Sequence, residues 1–154
     1  SAAPPRRSAQ GIDGGRLALL LAVLEQRARL PMGQHEVYSS VVGGVRLTEP
    51  GADLAICLSI ASALMNRPLP PDIVAIGEVG LAGEVRQAAH TPRRLAEAAR
   101  MGFRRAIVPS HSAGAHDGIT VIPVATLSEA LTAVGLTADC VPRAERRSPT
   151  HTGR

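Results

Sequence analysis

The residues with the clearest chemical potential are arginines. The chain contains 17 basic residues, all of them arginine, and six fall in one short stretch: Arg86, Arg93, Arg94, Arg100, Arg104 and Arg105. A guanidinium group matches phosphate oxygens in charge and geometry, so this pattern favours a surface that contacts DNA. The alternative is a solvated helix face on which Arg93 pairs with Glu97 one turn away.

Composition narrows what such a surface could bind. The formal net charge is +4 and the calculated pI is about 10.4, which favours partners rich in phosphate or carboxylate. Aromatic residues make up only 1 % of the chain. Base stacking is therefore disfavoured, and we expect contact with the DNA backbone instead.

Other kinds of chemistry have weaker support. Without lysine there is no amine base and no lysine-bearing phosphate loop, so the glycines of Gly77–Gly83 predict a hairpin. His111, His116 and Asp117 share a loop, but their spacing matches no common zinc site, and we expect no metal. No serine lies on a recognisable nucleophile elbow. A serine triad assembled from distant loops remains an open alternative.

The elements that would position these residues can be read from hydrophobic periodicity and turn residues. The pattern is mixed α+β, and residues 52–65 are apolar on nearly every side, which indicates a helix in the domain centre. Asp13, Thr91 and Thr126 are expected to cap helices. The predicted helices span 13–29, 52–65, 93–101 and 127–134, and the predicted strands span 34–45, 73–76, 106–108 and 119–124.

Length and composition indicate one domain. We expect a flexible lead-in over 1–12, a folded domain over 13–138 and a disordered basic tail over 139–154. No apolar run approaches the ~20 residues that a membrane helix needs. Cys57 and Cys140 are expected to be buried or incidental thiols in a reducing compartment, so a cytoplasmic location is predicted.

Several long stretches resemble one known family. Thr48–Asp72 (TEPGADLAICLSIASALMNRPLPPD), Ile73–Arg86 (IVAIGEVGLAGEVR) and Arg93–Pro109 (RRLAEAARMGFRRAIVP) closely resemble the C-terminal domain of bacterial RadA (Sms) type DNA-repair proteins, and Gly11–Ala28 fits the same family. That domain is similar in turn to the proteolytic domain of Lon. The resemblance implies a Lon-like α+β fold, shared with the second domain of a small-subunit ribosomal protein.

The resemblance also implies a function. Active Lon domains use a Ser–Lys pair, whose positions match Gly51 and about Pro92 here, so we expect no protease activity and no enzyme in this chain. Proteins of the family act in homologous recombination as ring-shaped hexamers that move branched DNA. ATP, magnesium and zinc are expected only in upstream domains, so no cofactor is expected here.

The implied role is therefore oligomerisation and binding of duplex or branched DNA, with the six arginines as contacts and no membrane partner. Two alternatives stay open. One is a purely structural ring-forming domain without DNA contact, and the other is a peptidase with an atypical nucleophile.

Overall fold

The computed structural model describes residues 14–30, 49–112 and 114–137. The predicted lead-in over 1–12, the predicted strand over 34–45, Cys140 and the predicted tail over 139–154 lie outside the described residues. Among the helices that are described, none has the length and apolarity that crossing a membrane would require.

Two helices form the larger side of the core. Helix α1 spans Gly14–Arg27, within the predicted range 13–29, and buries Leu17, Leu20, Val23 and Leu24. Helix α2 spans Asp53–Met65 and follows a short 3-10 turn at Pro50–Ala52. Most of its side chains are buried, and it contacts α1 and the sheet, so the predicted central helix is confirmed.

The sheet has three parallel strands. They are β1 (Ile73–Ala75), β4 (Arg105–Pro109) and β5 (Thr120–Val124), in the order β1-β4-β5. The predicted glycine hairpin is confirmed as a separate antiparallel pair, β2 (Glu78–Val79) with β3 (Val85–Arg86). The fold is thus mixed α/β with a parallel sheet, which is compatible with the predicted α+β class.

Helices cover both faces of the sheet. Helix α3 (Thr91–Arg100) connects the hairpin to β4, and helix α4 (Leu127–Ala133) follows β5. Because side chains alternate along a strand, Ile107 points to the cluster formed with α1, α2 and α4, whereas Ala106 and Val108 point to α3. In the described residues, α3 is the one helix on its face of the sheet.

Two of the three predicted helix caps lie within the described residues, whereas Asp13 lies outside them. Thr126 caps α4 as predicted, since its hydroxyl accepts from the Glu129 amide. The predicted Thr91 cap is wrong, because Thr91 lies inside α3 and its hydroxyl donates to the Ala88 carbonyl. His90 takes the cap position in a left-handed conformation, with φ of 61°.

A partly buried ion pair joins the first two helices. Asp53 is 2 % exposed, and its carboxylate accepts two hydrogen bonds from the Arg16 guanidinium and one from the Val79 amide. The pair raises the pKa of Arg16, chiefly through the hydrogen bond to Asp53. It therefore links α1, α2 and the hairpin at one point, and the sequence analysis did not single it out.

Candidate nucleic-acid interface

An open groove runs between helix α3 and strand β1. It has a volume of about 810 Å³. Its floor is largely apolar and its rim carries charged side chains. The lining residues are Val74, Ile76, His90, Arg93, Arg94, Ala96, Glu97, Ala98, Arg100, Met101 and Phe103.

Three of the six predicted DNA-contacting arginines meet at this groove. Arg93, Arg94 and Arg100 all lie on α3 and line it. Arg93 and Arg100 are seven residues apart in the chain, which is about two helical turns, so they point to the same side of α3. The fold therefore brings three of the six arginines to one groove, and DNA contact by all six stays a prediction.

The other three predicted arginines lie elsewhere among the described residues. Arg86 is on β3, where its guanidinium pairs with the Glu84 carboxylate at 2.8 Å. Arg105, at the start of β4, makes two hydrogen bonds of 2.8 and 3.1 Å to Asp72. The exposed Arg104 precedes it. None of these three lines the groove.

Ion pairs hold two of the groove arginines. The Arg94 guanidinium is 2.9 Å from the Glu49 carboxylate and donates to the Ala89 carbonyl at 2.8 Å. Glu97 pairs with Arg100, its Oε2 accepting from Nε at 2.9 Å, and not with Arg93 as the helix-face alternative required. Within the described residues, Arg93 makes no ion pair.

The charge states of these pairs follow from their contacts. Hydrogen bonding to Arg100 lowers the pKa of Glu97, and hydrogen bonding to Arg105 lowers the pKa of Asp72. Both carboxyl groups are therefore ionised at neutral pH. Because exposed ion pairs contribute little free energy, a phosphate can replace the carboxylate at Arg100 at small cost.

Gly51 and Pro92, the positions linked to a Ser–Lys pair, lie in different surroundings. Gly51 is buried in the 3-10 turn, where an added Cβ would lie 3.0 Å from Ala88 Cβ and 3.3 Å from Arg94 Nη2. Pro92 is exposed in the first turn of α3. The cationic group beside Gly51 is therefore Arg94, whose guanidinium stays protonated and cannot act as a base.

Two polar groups of α2, the exposed Ser59 hydroxyl and the buried Cys57 thiol, have structural roles. Ser59 Oγ donates to the Ala55 carbonyl at 2.8 Å, as expected for a hydroxyl within a helix. The Cys57 thiol is buried, and burial, with a further contribution from the Asp53 charge, raises its pKa from 9.0 to about 12. A neutral, enclosed thiol is a poor nucleophile.

This pKa gives a test in a Cys140→Ser background, where only Cys57 remains. We expect a thiol reagent to label folded protein negligibly at pH 8 and to label it fully in denaturant. Since the folded thiol keeps its proton up to about pH 12 while the unfolded thiol loses it near 9.0, stability should fall as pH rises across that interval. A Cys57→Ala control should lack this contribution. Rapid labelling without denaturant would contradict the assignment.

The groove-floor residues were missed by sequence reasoning. Met101 is 64 % exposed, and Phe103 is partly buried beside Leu95 and Ala98. Apolar side chains beside a glycine at a helix end are common in protein cores, so the positions of Met101 and Phe103 in the sequence did not indicate a groove. The one available signal was rarity, because Phe103 is the single phenylalanine of the chain.

Fold and groove together define a mixed α/β domain with an arginine-rimmed apolar groove. Over 121 residues (79 % of this chain) it is 50 % identical to the DNA repair protein RadA of Mycolicibacterium smegmatis, covering 26 % of that protein. The RadA protein of Escherichia coli is 50 % identical over 131 residues (84 % of this chain and 28 % of that protein). That of Mycobacterium tuberculosis is 44 % identical over 149 residues (97 % and 31 %).

Over most of its length, this chain is therefore homologous to the RadA family of DNA repair proteins, as the sequence resemblance indicated. It spans about a quarter to a third of the length of these relatives. Residues 43–112 also match a family model described as "Subunit ChlI of Mg-chelatase".

The second match corrects two expectations. It aligns a large part of the chain with an enzyme subunit of the ATPase type, so the expectation that this chain is no enzyme is contradicted. The expectation that it has no cofactor is contradicted by the same match, which implies ATP and magnesium in this region. The first expectation rested on Gly51, Pro92 and the missing lysine, which exclude only particular catalytic groups. The second rested on the resemblance, which placed ATP and magnesium in upstream domains.

The described residues do not fit ATP and magnesium in the usual way. The glycines of GEVGLAG form the β2–β3 hairpin and do not lead into a helix, so their amides are not arranged as a phosphate loop. Within 14–30, 49–112 and 114–137, no three His, Cys, Asp or Glu side chains are grouped as metal ligands. No step of a nucleotide reaction can be assigned to these side chains.

Proposed function

We propose that this chain is the DNA-contacting and ring-forming part of a RadA-type DNA repair protein. On this proposal, residues 13–138 form a Lon-like domain that works in the cytoplasm and assembles with copies of itself, with a hexamer as the expected ring. Its partner is duplex or branched DNA, bound through phosphate contacts. Homology to RadA, a net charge of +4 and the groove arginines support it.

One observation carries the DNA part of the proposal. Arg93 is exposed and makes no ion pair within the described residues, and it lies beside Arg94 and Arg100 on the groove rim. A guanidinium group without a carboxylate partner is available to phosphate without first breaking a contact. Arg86, Arg104 and Arg105 are proposed as outer contacts, and two of them must first exchange a carboxylate for a phosphate.

Reversing the charge of Arg93 should weaken duplex binding. We expect Arg93→Glu to reduce affinity about tenfold at low salt and to lower the slope of log affinity against log salt by about one, since one phosphate contact is lost. Fluorescence anisotropy with a blunt labelled duplex measures both quantities. The matched control is Arg67→Glu, because Arg67 is an exposed arginine that does not line the groove.

Equal losses in the two variants would show that net charge alone drives binding, and would count against the groove. If light scattering shows oligomers while no duplex binding occurs at low salt, the chain is a purely structural ring-former. Monomers at every concentration would contradict the ring-forming part.

Removing the negative charge on the rim should have the opposite effect. At neutral pH the Glu97 carboxylate repels phosphate and holds the Arg100 guanidinium. Glu97→Gln should therefore raise duplex affinity about threefold, with the gain shrinking as salt rises. Glu129→Gln is the control, because it removes the same charge on α4, away from the groove. An unchanged or lower affinity for Glu97→Gln would contradict phosphate binding at Arg100.

A further inference from the structure

The floor of the groove holds the chain's single phenylalanine. Phe103 lies there together with Met101, which is one of two large hydrophobic side chains that are strongly exposed among the described residues. Val74 of β1 and Ile76, just after that strand, complete the floor. The sequence argument against base stacking rested on how few aromatic residues there are, but the position of this one ring matters more than the count.

The end of helix α3 fixes the position of these side chains. Gly102 adopts φ of +96°, which a residue with a side chain rarely takes, and the Phe103 amide donates to the Ala98 carbonyl at 3.0 Å. This closed turn sets Met101 and Phe103 on the groove side of the helix. The floor is therefore held by backbone geometry.

The chemistry of floor and rim together matches one kind of ligand. A nucleotide has a flat apolar base, which packs on aromatic and thioether side chains, and a phosphate, which binds guanidinium groups. The groove offers both contacts, because apolar side chains for the base line it together with three arginines for the phosphate: Arg93, Arg94 and Arg100. A volume of about 810 Å³ lies within the range of small-ligand sites and is large enough for one or two nucleotides.

We propose that this groove binds an unpaired nucleotide at the end or junction of a DNA strand. The base packs on Phe103 and Met101, and the neighbouring phosphates contact Arg93 and Arg100. The inference rests on the proposed function, which requires DNA at the same arginines. It adds that the bound base is unpaired, because a base in an intact duplex is stacked and cannot enter the groove. It makes the groove a reader of strand ends and junctions.

The test compares three labelled DNAs by fluorescence anisotropy with the full chain. One is a blunt duplex, the second carries a short single-stranded extension, and the third carries the same extension without its bases. We expect the second to bind about tenfold more tightly than the first, and the abasic extension to return affinity close to that of the blunt duplex. The abasic arm leaves the protein unaltered, so misfolding cannot explain its result.

Protein variants give the matching result. Phe103→Leu keeps an apolar side chain and should lose most of the preference for the extension, measured as the ratio of its affinities for the extended and the blunt duplex. Phe103→Tyr keeps the ring and should retain the preference. A preference unchanged in Phe103→Leu would overturn the inference.

Failures of the two proposals are distinguishable. Equal affinity for the three DNAs would overturn this inference and leave the proposed duplex contact standing, whereas no binding to any of them would remove both. Free ATP or an acidic apolar peptide that displaces the extension at low concentration would show a different occupant, and would overturn the inference as stated.

Discussion

Replacing Arg16 with Met will lower the free energy of unfolding by about 3 kcal/mol, because the Asp53 carboxylate is left buried without its cation. Asp53 is 2 % exposed, and the Arg16 side chain is 21 % exposed. The Val79 amide, at 3.2 Å, would remain as a hydrogen-bond donor to Asp53 among the described residues, and it carries no full charge. Urea denaturation followed by circular dichroism measures the loss.

Two further variants identify the cause. Arg16→Lys keeps the charge but not the paired geometry, so a smaller loss is expected. Adding Asp53→Asn to Arg16→Met removes the unpaired buried charge and should recover part of the free energy of unfolding. If the double variant instead lost the sum of the two single-variant losses, the two side chains would act independently. A loss below about 0.5 kcal/mol in Arg16→Met would contradict the buried-pair account.

Truncating Leu95 to Ala will have an effect of similar size on the other side of the sheet. Leu95 is fully buried between α3 and the strands, where it packs in the cluster with Ala98, Ala106 and Val108. Removing its methyl groups leaves a cavity, and the expected cost is about 3 kcal/mol. Because α3 also carries Arg93, Arg94 and Arg100, looser packing should weaken DNA binding as well as stability.

The control for this prediction is the same substitution on the surface. Leu81 is 71 % exposed on the β2–β3 hairpin, so Leu81→Ala should change the free energy of unfolding by less than about 0.5 kcal/mol. If the two Leu→Ala variants were equally stable, α3 would not be packed on the sheet as described. If Leu95→Ala lost stability but kept full affinity for DNA, the binding arginines would lie outside α3.

Local signals explain which elements could be predicted. Helix α2 followed from a run that is apolar on nearly every side, and the hairpin followed from its spaced glycines. Gly102, which directly follows the predicted helix over 93–101, has a left-handed φ of 96°, which favours glycine. Each signal acts within a few residues, because propensity and turn chemistry depend on near neighbours.

Thr91 shows the limit of local reasoning even at short range. Ser and Thr are good caps, so Thr91 before Pro92 predicted the start of the helix. In the structure its hydroxyl donates to the Ala88 carbonyl, and His90 takes the cap position instead. The chain path out of the β2–β3 hairpin decides which of two neighbouring residues becomes the cap.

The candidate site depended even more on tertiary contacts. Sequence spacing grouped six arginines, but the fold brings only Arg93, Arg94 and Arg100 to one groove. Arg105 lies beside Asp72, and Arg94 lies beside Glu49. These partners are far away in the chain, so no pattern in a short window could identify them.

By itself, the sequence determined the central helix, the glycine hairpin, the absence of lysine and the homology to RadA. Only the tertiary structure decided which arginines share a surface, that Asp53 pairs with Arg16, and that the one phenylalanine lines the same groove as three arginines. The physical reason is that helix and turn signals are encoded between neighbours. Charge pairing and groove formation depend instead on distances that exist only after α1, α2 and α3 have packed against the sheet.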